Sequence, residues 1–250
     1  MTLRDRYITL HGRKPVLEAL RSDQTIDLLH ISEKATGDII QQIKTEAKRK
    51  GIKVEFVSEN RIAALSRSGQ HQGVAADVRA PHMQALSNFL SQRNGREYST
   101  AVLLLDGVQN PSNLGMILRT AAAADIDGVI VPEKGTASIN PVAIKASSGV
   151  AFNAPILRVD TAVHAVSTLL EERFQILGFS SSGENLFYTD IPERVVLVLG
   201  NETTGISKDV MEYCHHKVAI PVQNQVESLN VAISAAIACY EIVRRRANSS

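Results

Sequence analysis

Three polar stretches, each directly behind an apolar run, hold nearly all the unusual side chains of the second half of the sequence. They are "DGVQNPSNLGMILRT" (106–120), "LGNETTGIS" (199–207) and "IPVQNQVESLN" (220–230). The middle one approaches the phosphate-cradling pattern G-x-x-x-x-G-K-[ST] and departs from it at one position, where Ile206 replaces the lysine that would reach terminal phosphates. A Gly-framed turn that bears Glu202 and lacks that cation is not built for a nucleoside triphosphate. Taken singly, each stretch has an ordinary explanation, since Asn-Pro-Ser begins helices and Gly-Asn makes turns. Arg119 is harder to explain away: it sits on an Ala-rich helical stretch six residues after Asn113, where a long cation must find a partner or snorkel outward. The three stretches read together as one site.

Other candidates are weaker. Cys214-His215-His216 resembles part of a metal site, but no second ligand cluster stands at suitable spacing, and the three fit the end of a helix and the start of a strand. Ser228 lacks the G-x-S-x-G elbow of a hydrolase nucleophile. Lys44, Lys48, Arg49, Lys50 and Lys53 form the densest basic run, equally suited to gripping phosphates or to a helix's wet face. Arg244, Arg245 and Arg246 most economically complement the negative end of the last helix, with RNA contact second. His71, in "GQHQGVA", fits a turn before a strand or a contact with RNA.

The elements that must position these loops alternate. Residues 1–80 carry "PVLEALRS", "IDLLHI", "GDIIQQIKTEAKRK", "KVEFV", "SENRIAALS" and "GVAADVR", a small α/β unit. Pro81, Asn94 and Gly95 then mark a short helix followed by a linker, which places a boundary within 81–98. From residue 99 the strands become continuously apolar: "VLLL", "GVIV", "ILRV", "QILGF", "VVLVLG" and "HKVAIP". Helical patterns separate them, which argues for a parallel sheet covered on both faces. Ligands of such sheets sit beyond the carboxyl ends of the strands, where the polar stretches fall.

Charge and composition narrow the class. The totals nearly cancel, 27 Lys and Arg against 26 Asp and Glu, but residues 1–80 hold 14 against 10 and the remainder 13 against 16. A basic first third is compatible with an RNA-facing module. Two cysteines without CxxC spacing and an N-terminus without an apolar core suggest the cytoplasm. The apolar run Val231 to Val243 carries Ser234 and Glu241 and is too short to span a bilayer, so it reads as a buried helix.

The order N-x5-R in "NPSNLGMILRTA", then "LVLGNETTGIS", then "IPVQNQVESLNVAISAAIACYE" resembles the three motifs of the SpoU (TrmH) family of RNA ribose 2′-O-methyltransferases, in the SPOUT superfamily. "LHGRKPVLEALRS" and "HQGVAADV" resemble the substrate-binding domain of the branch typified by the 23S rRNA guanosine 2′-O-methyltransferase. The resemblance implies an α/β catalytic domain over 99–250 whose C-terminus threads a trefoil knot, preceded by an L30e-like RNA-binding domain over 1–80. It implies S-adenosylmethionine as cofactor, held at Leu199, Gly200, Ile220, Pro221, Ser228, Leu229 and Asn230, with Gly200 leaving room for the cofactor's close approach. It implies reacting residues Asn113, Arg119, Glu202, Ser228 and Asn230. Guanidinium stays protonated, with a pKa above about 12, so Arg119 would grip the RNA phosphate and stabilise alkoxide charge. Asn113 and Ser228 would orient the ribose and Arg119, and Glu202 would hold that network. The expected partners are structured RNA, rRNA ahead of tRNA, and a second copy of the chain, with neither a membrane nor a metal. A non-catalytic RNA-binding or ribosome-assembly protein of the same fold is the alternative that the presence of all five residues disfavours. The sequence departs from the family at Asn224, where glycine is common and left-handed geometry would be needed, and near Phe152, where glutamate is common and RNA specificity is at stake.

Overall fold

The computed structural model describes residues 6–93, 99–224 and 227–248. Two sheets organise the chain. The smaller has the order β1-β4-β2-β3, with β1 (Tyr7–His11), β2 (Ile26–Ser32), β3 (Lys53–Val57) and β4 (Val74–Arg79). Its β1–β4 and β4–β2 pairs are antiparallel and β2–β3 is parallel. Three helices accompany it: α1 (Arg13–Arg21), α2 (Asp38–Arg49) and α3 (Glu59–Ser66). Strand β1 is absent from the sequence reading, because the polar residues Tyr7, Thr9 and His11 alternate with Ile8 and Leu10.

The larger sheet has seven parallel strands in the order β11-β9-β10-β6-β7-β8-β5. These are β5 (Gln84–Ala85), β6 (Thr100–Leu105), β7 (Gly128–Pro132), β8 (Ile156–Val159), β9 (Gln175–Asn185), β10 (Arg194–Leu199) and β11 (His216–Ala219). Between them run α4 (Leu86–Arg93), α5 (Pro111–Ala123), α6 (Pro141–Ala146), α7 (Ala162–Glu171) and α8 (Lys208–Met211), and α9 (Val231–Asn248) closes the chain. Strand β10 shows why the apolar runs are continuous. Val195, Leu197 and Leu199 share a cluster with residues of α5 and α9, while Val196 and Val198 share another with residues of α4, α7 and α8. Burying each such side chain contributes about 1.5–3 kcal/mol, so a polar residue on either face of β10 would be costly. The expected short helix after residue 80 is α4; β5 and α4 pack against this sheet, and residues 94–98 of the expected linker lie outside the described residues.

The arginine triplet works otherwise than expected. Arg244 and Arg245 both donate to Glu241, which is only 4% exposed, and Arg245 also donates to the carbonyls of Leu186 and Thr189. Arg246 donates to Asp127 and to the carbonyl of Asp125. Arg245 and Arg246 are tertiary anchors that seat α9 on the sheet, through partners 56 to 121 residues away that a helix-end argument cannot see, while Arg244 pairs within the helix. Hydrogen bonds from Arg244 hold the Glu241 carboxyl below the usual carboxylate range. Its stabilisation is therefore present above pH 4.5, the ordinary value, and is lost as the pH falls through the lower folded value. Glu241→Gln should lower the melting temperature at pH 7 by several degrees, on the order of 5 °C. The gap from wild type should narrow as denaturation is measured at pH 4 and then 3; a gap independent of pH would contradict the assignment.

Candidate active site

The loops of the three polar stretches meet along the carboxyl edge of the larger sheet. Helix α5 begins where Asn110 accepts from the Ser112 amide and Pro111 fills the first turn, the start signal read in the sequence. One turn later Asn113 is buried, with both ends of its side-chain amide engaged. Its Nδ2 donates to Oε1 of Glu202, and its Oδ1 accepts from Nδ2 of Asn230 at 3.2 Å. Asn230 in turn accepts from the Ala232 amide, so it caps α9 and precedes its first residue. One buried amide thus joins three loops.

The 199–207 stretch is a tight turn. Asn201 and Gly205 exchange two backbone hydrogen bonds, of 3.0 and 2.9 Å, and the Asn201 side chain accepts from the amides of Thr203 and Thr204. Asn201 Nδ2 donates to the Gly107 carbonyl and the Ser207 amide donates to Asp106, which fastens this turn to the first polar stretch. A Cβ on Gly200 would lie 2.3 Å from Gly205 C and Ile206 N. The loop folding back on itself therefore requires glycine at 200 by itself, before any ligand approaches. Ile206, where a phosphate loop has lysine, is buried with residues of α7 and α8.

A cavity of about 760 Å³ opens beside this turn. Leu199, Gly200, Ile220, Pro221, Ser228 and Leu229 line it, as does Glu202; Asn230 is not among the lining residues and is tied to Glu202 through Asn113. Its described lining holds the carboxylates of Glu202 and Glu227 and no lysine, arginine or histidine. Such a pocket repels a phosphate and suits a ligand with positive charge and an apolar body. The far half of β9, including Ser180, Ser181 and Asn185, forms another wall, which the sequence reading missed by ending the strand at "QILGF". The polar run Ser180-Ser181-Ser182-Gly183 straight after an apolar strand was the available signal. Asn224 adopts φ 57, the left-handed geometry expected of it.

Arg119 stands apart. It is exposed on α5, donates to Ser148 Oγ at 2.9 Å and is not among the cavity's lining residues. Phe152 is buried at 3% exposure, so this position serves the core and presents nothing to an RNA. Cys214 lies near the carbonyl of Val210, and His215 accepts from the Ile176 amide. Burial pushes the Cys214 and Cys239 thiols up to about 11 and about 12, which leaves both protonated at neutral pH and poor as nucleophiles or soft ligands. No group of three or more His, Cys, Asp or Glu among the described residues is arranged to hold a metal ion. In the basic run, Lys44 lies over the Phe56 ring, Arg49 pairs with Glu46 and Lys53 with Glu55.

Comparison with known proteins gives two family matches. The "SpoU rRNA Methylase family" model matches residues 100–240, and the "RNA 2'-O ribose methyltransferase substrate binding" model matches residues 9–84. A Staphylococcus saprophyticus protein named "Putative TrmH family tRNA/rRNA methyltransferase" is 34% identical over 241 residues, 96% of each chain. An AdoMet-bound rRNA methyltransferase from Sinorhizobium meliloti superposes with a TM-score of 0.61 at 26% identity, covering 97% of this chain and 88% of its own. A TrmH/SpoU tRNA modifying enzyme of A. aeolicus gives 0.54 at 27% identity, covering 66% of this chain and 83% of its own. A Gly200→Ala variant should weaken S-adenosylmethionine binding by about tenfold or more and speed amide exchange across 201–206, because its Cβ displaces the turn. Weakened binding with unchanged exchange would mean that the side chain blocks the ligand directly.

Proposed function

Because the chain belongs to the SpoU rRNA methylase family, we propose that it transfers a methyl group from S-adenosylmethionine to a ribose 2′-hydroxyl of structured RNA, with a 23S rRNA guanosine as the favoured target. The observation that carries this reading is the acid-bearing cavity, without lysine, arginine or histidine among its described lining, whose wall turn is tied through Asn113 to the start of α9. Leu199, Gly200, Ile220, Pro221, Ser228 and Leu229 would hold the cofactor, with Glu202 and Glu227 matching its positive charge. When bound, S-adenosylmethionine supplies an electrophilic methyl carbon on a sulfonium. The chain's task is then to align the ribose oxygen behind that carbon and to stabilise the oxyanion that develops as the hydroxyl proton passes to water or a neighbouring phosphate. Arg119, always charged, is suited to gripping the RNA phosphate and to that stabilisation. Asn113 and Asn230 position Glu202 and the turn, and Ser228 orients the ribose.

Residues 1–80 would present the RNA and 99–250 carry out the transfer, with 81–98 joining them. Ribosomal RNA is favoured because the S. meliloti rRNA enzyme covers 97% of the chain, N-terminal unit included, whereas the A. aeolicus tRNA enzyme covers 66%. We read the working unit as a cytoplasmic homodimer. Ile233 and Tyr240 of α9 and Met116 of α5 are exposed apolar side chains that a second copy would cover. Among the described residues, no helix is long and apolar enough to cross a membrane.

Arg119→Ala should keep S-adenosylmethionine affinity within a few-fold of wild type while reducing single-turnover methylation by about 100- to 1,000-fold. Single-turnover rates equal to wild type would remove Arg119 from the reaction.

A further inference from the structure

A second cavity, of about 540 Å³, lies between the two sheets and plays no part in the chemistry above. One wall is the polar face of the small sheet with the end of α3: Tyr7, Thr9, His11, Leu65 and Arg67. The other is the segment leading into α6, Ser138 to Asn140, with Glu133 and Arg158. This second wall is bonded to the candidate active site. The Thr136 hydroxyl donates to the Leu105 carbonyl and the Ala137 amide to the Val108 carbonyl, while beyond α6 Ser148 accepts from Arg119. One continuous segment therefore leads from this wall through α6 to the side chain that Arg119 holds.

The charges in the cleft discriminate among ligands. Asp27 accepts from the Tyr7 hydroxyl and from Arg79, Asp77 accepts from Thr9 and lies 3.3 Å from His30, and Glu133 pairs with Arg158. With these three carboxylates already engaged and Arg67 and Arg158 lining the cleft beside them, neither sign of charge dominates, so an uncharged ligand is favoured. Two groups await such a ligand. His11 is only 7% exposed, and its Nδ1 has no hydrogen-bond partner. Burial, and then the nearby His71, lower its pKa, so the ring is neutral and offers one donor and one acceptor. Arg67 sits at φ 50 as the cap of α3, a geometry that glycine would adopt more easily, and makes no hydrogen bond or ion pair among the described residues. Leu28, Leu65 and Ile139 supply apolar surface between these polar edges. A flat, uncharged body with hydrogen-bonding edges is a nucleobase, and unpaired bases are what proteins splay out and read in RNA.

Resting on the RNA methyltransferase reading, we propose that this cleft between the two sheets binds an unpaired nucleobase of the substrate RNA, with His11 and Arg67 contacting its edges. The test uses the full-length chain and total RNA from cells lacking it, ultraviolet cross-linking with mass-spectrometric mapping, and an RNA affinity measurement. Two variants are compared: Ile139→Trp, which fills the cleft, and Arg67→Gly, which removes the guanidinium while suiting the backbone. Wild type should yield base adducts on residues 6–13 or 64–67. Ile139→Trp should abolish them, and both variants should weaken RNA binding by about tenfold with S-adenosylmethionine affinity unchanged. Adducts confined to other surfaces, with RNA affinity unchanged in both variants, would overturn the cleft while leaving the methyltransferase reading intact. A wild-type chain that neither binds nor methylates any of that RNA would overturn both.

Discussion

The site depends on one side-chain amide. Asn113 is almost wholly buried, and a buried amide must spend its donor and acceptor within the protein or pay their full desolvation cost. It does so by donating to Glu202, 89 positions away, and accepting from Asn230, 117 positions away. Each partner then organises its own surroundings: Asn230 caps the last helix, and Glu202 belongs to the turn closed by Asn201 and Gly205. Alanine at 113 would cut the side-chain link between Glu202 and Asn230, leaving the turn held by Asn201 to Gly107 and by Ser207 to Asp106.

That junction sits at the carboxyl edge of a parallel sheet whose central strand is buried on both faces. The sheet supplies rigidity and the loops supply specificity. Carboxylates at Glu202 and Glu227, without a compensating cation among the described lining, give the cavity its preference for positive charge. The same turn that resembles a phosphate loop in outline thus has the opposite electrostatics. Ile206 completes the inversion, because the side chain that would have reached a phosphate instead packs into the core.

Much of this was legible in the sequence, for a physical reason. Continuously apolar strands, the Asn110-Pro111 helix start and the left-handed Asn224 are local consequences of local chemistry. What escaped depends on partners distant in the chain. Strand β1 and the outer half of β9 are polar because they line clefts, so hydrophobic periodicity passes over them. Arg245 and Arg246 look like a helix-end signal until Asp127 and the Leu186 carbonyl come into place. Gly200, singled out for the close approach of a cofactor, has a second reason that the sequence does not display, the backbone of Gly205 and Ile206. The residues of the three motifs were identified through resemblance to a family, and no periodicity would suggest the knotted C-terminus that this family implies.

The central claim is that an acid-lined cavity joined through Asn113 to α9 serves methyl transfer to RNA ribose. Nucleotide-resolution maps of 2′-O-methylation in total RNA, from cells with and without this protein, test it most directly. We expect a single ribose methylation, in the large ribosomal RNA, to disappear with the protein and return when it is restored. Identical maps across all cellular RNA would contradict the claim.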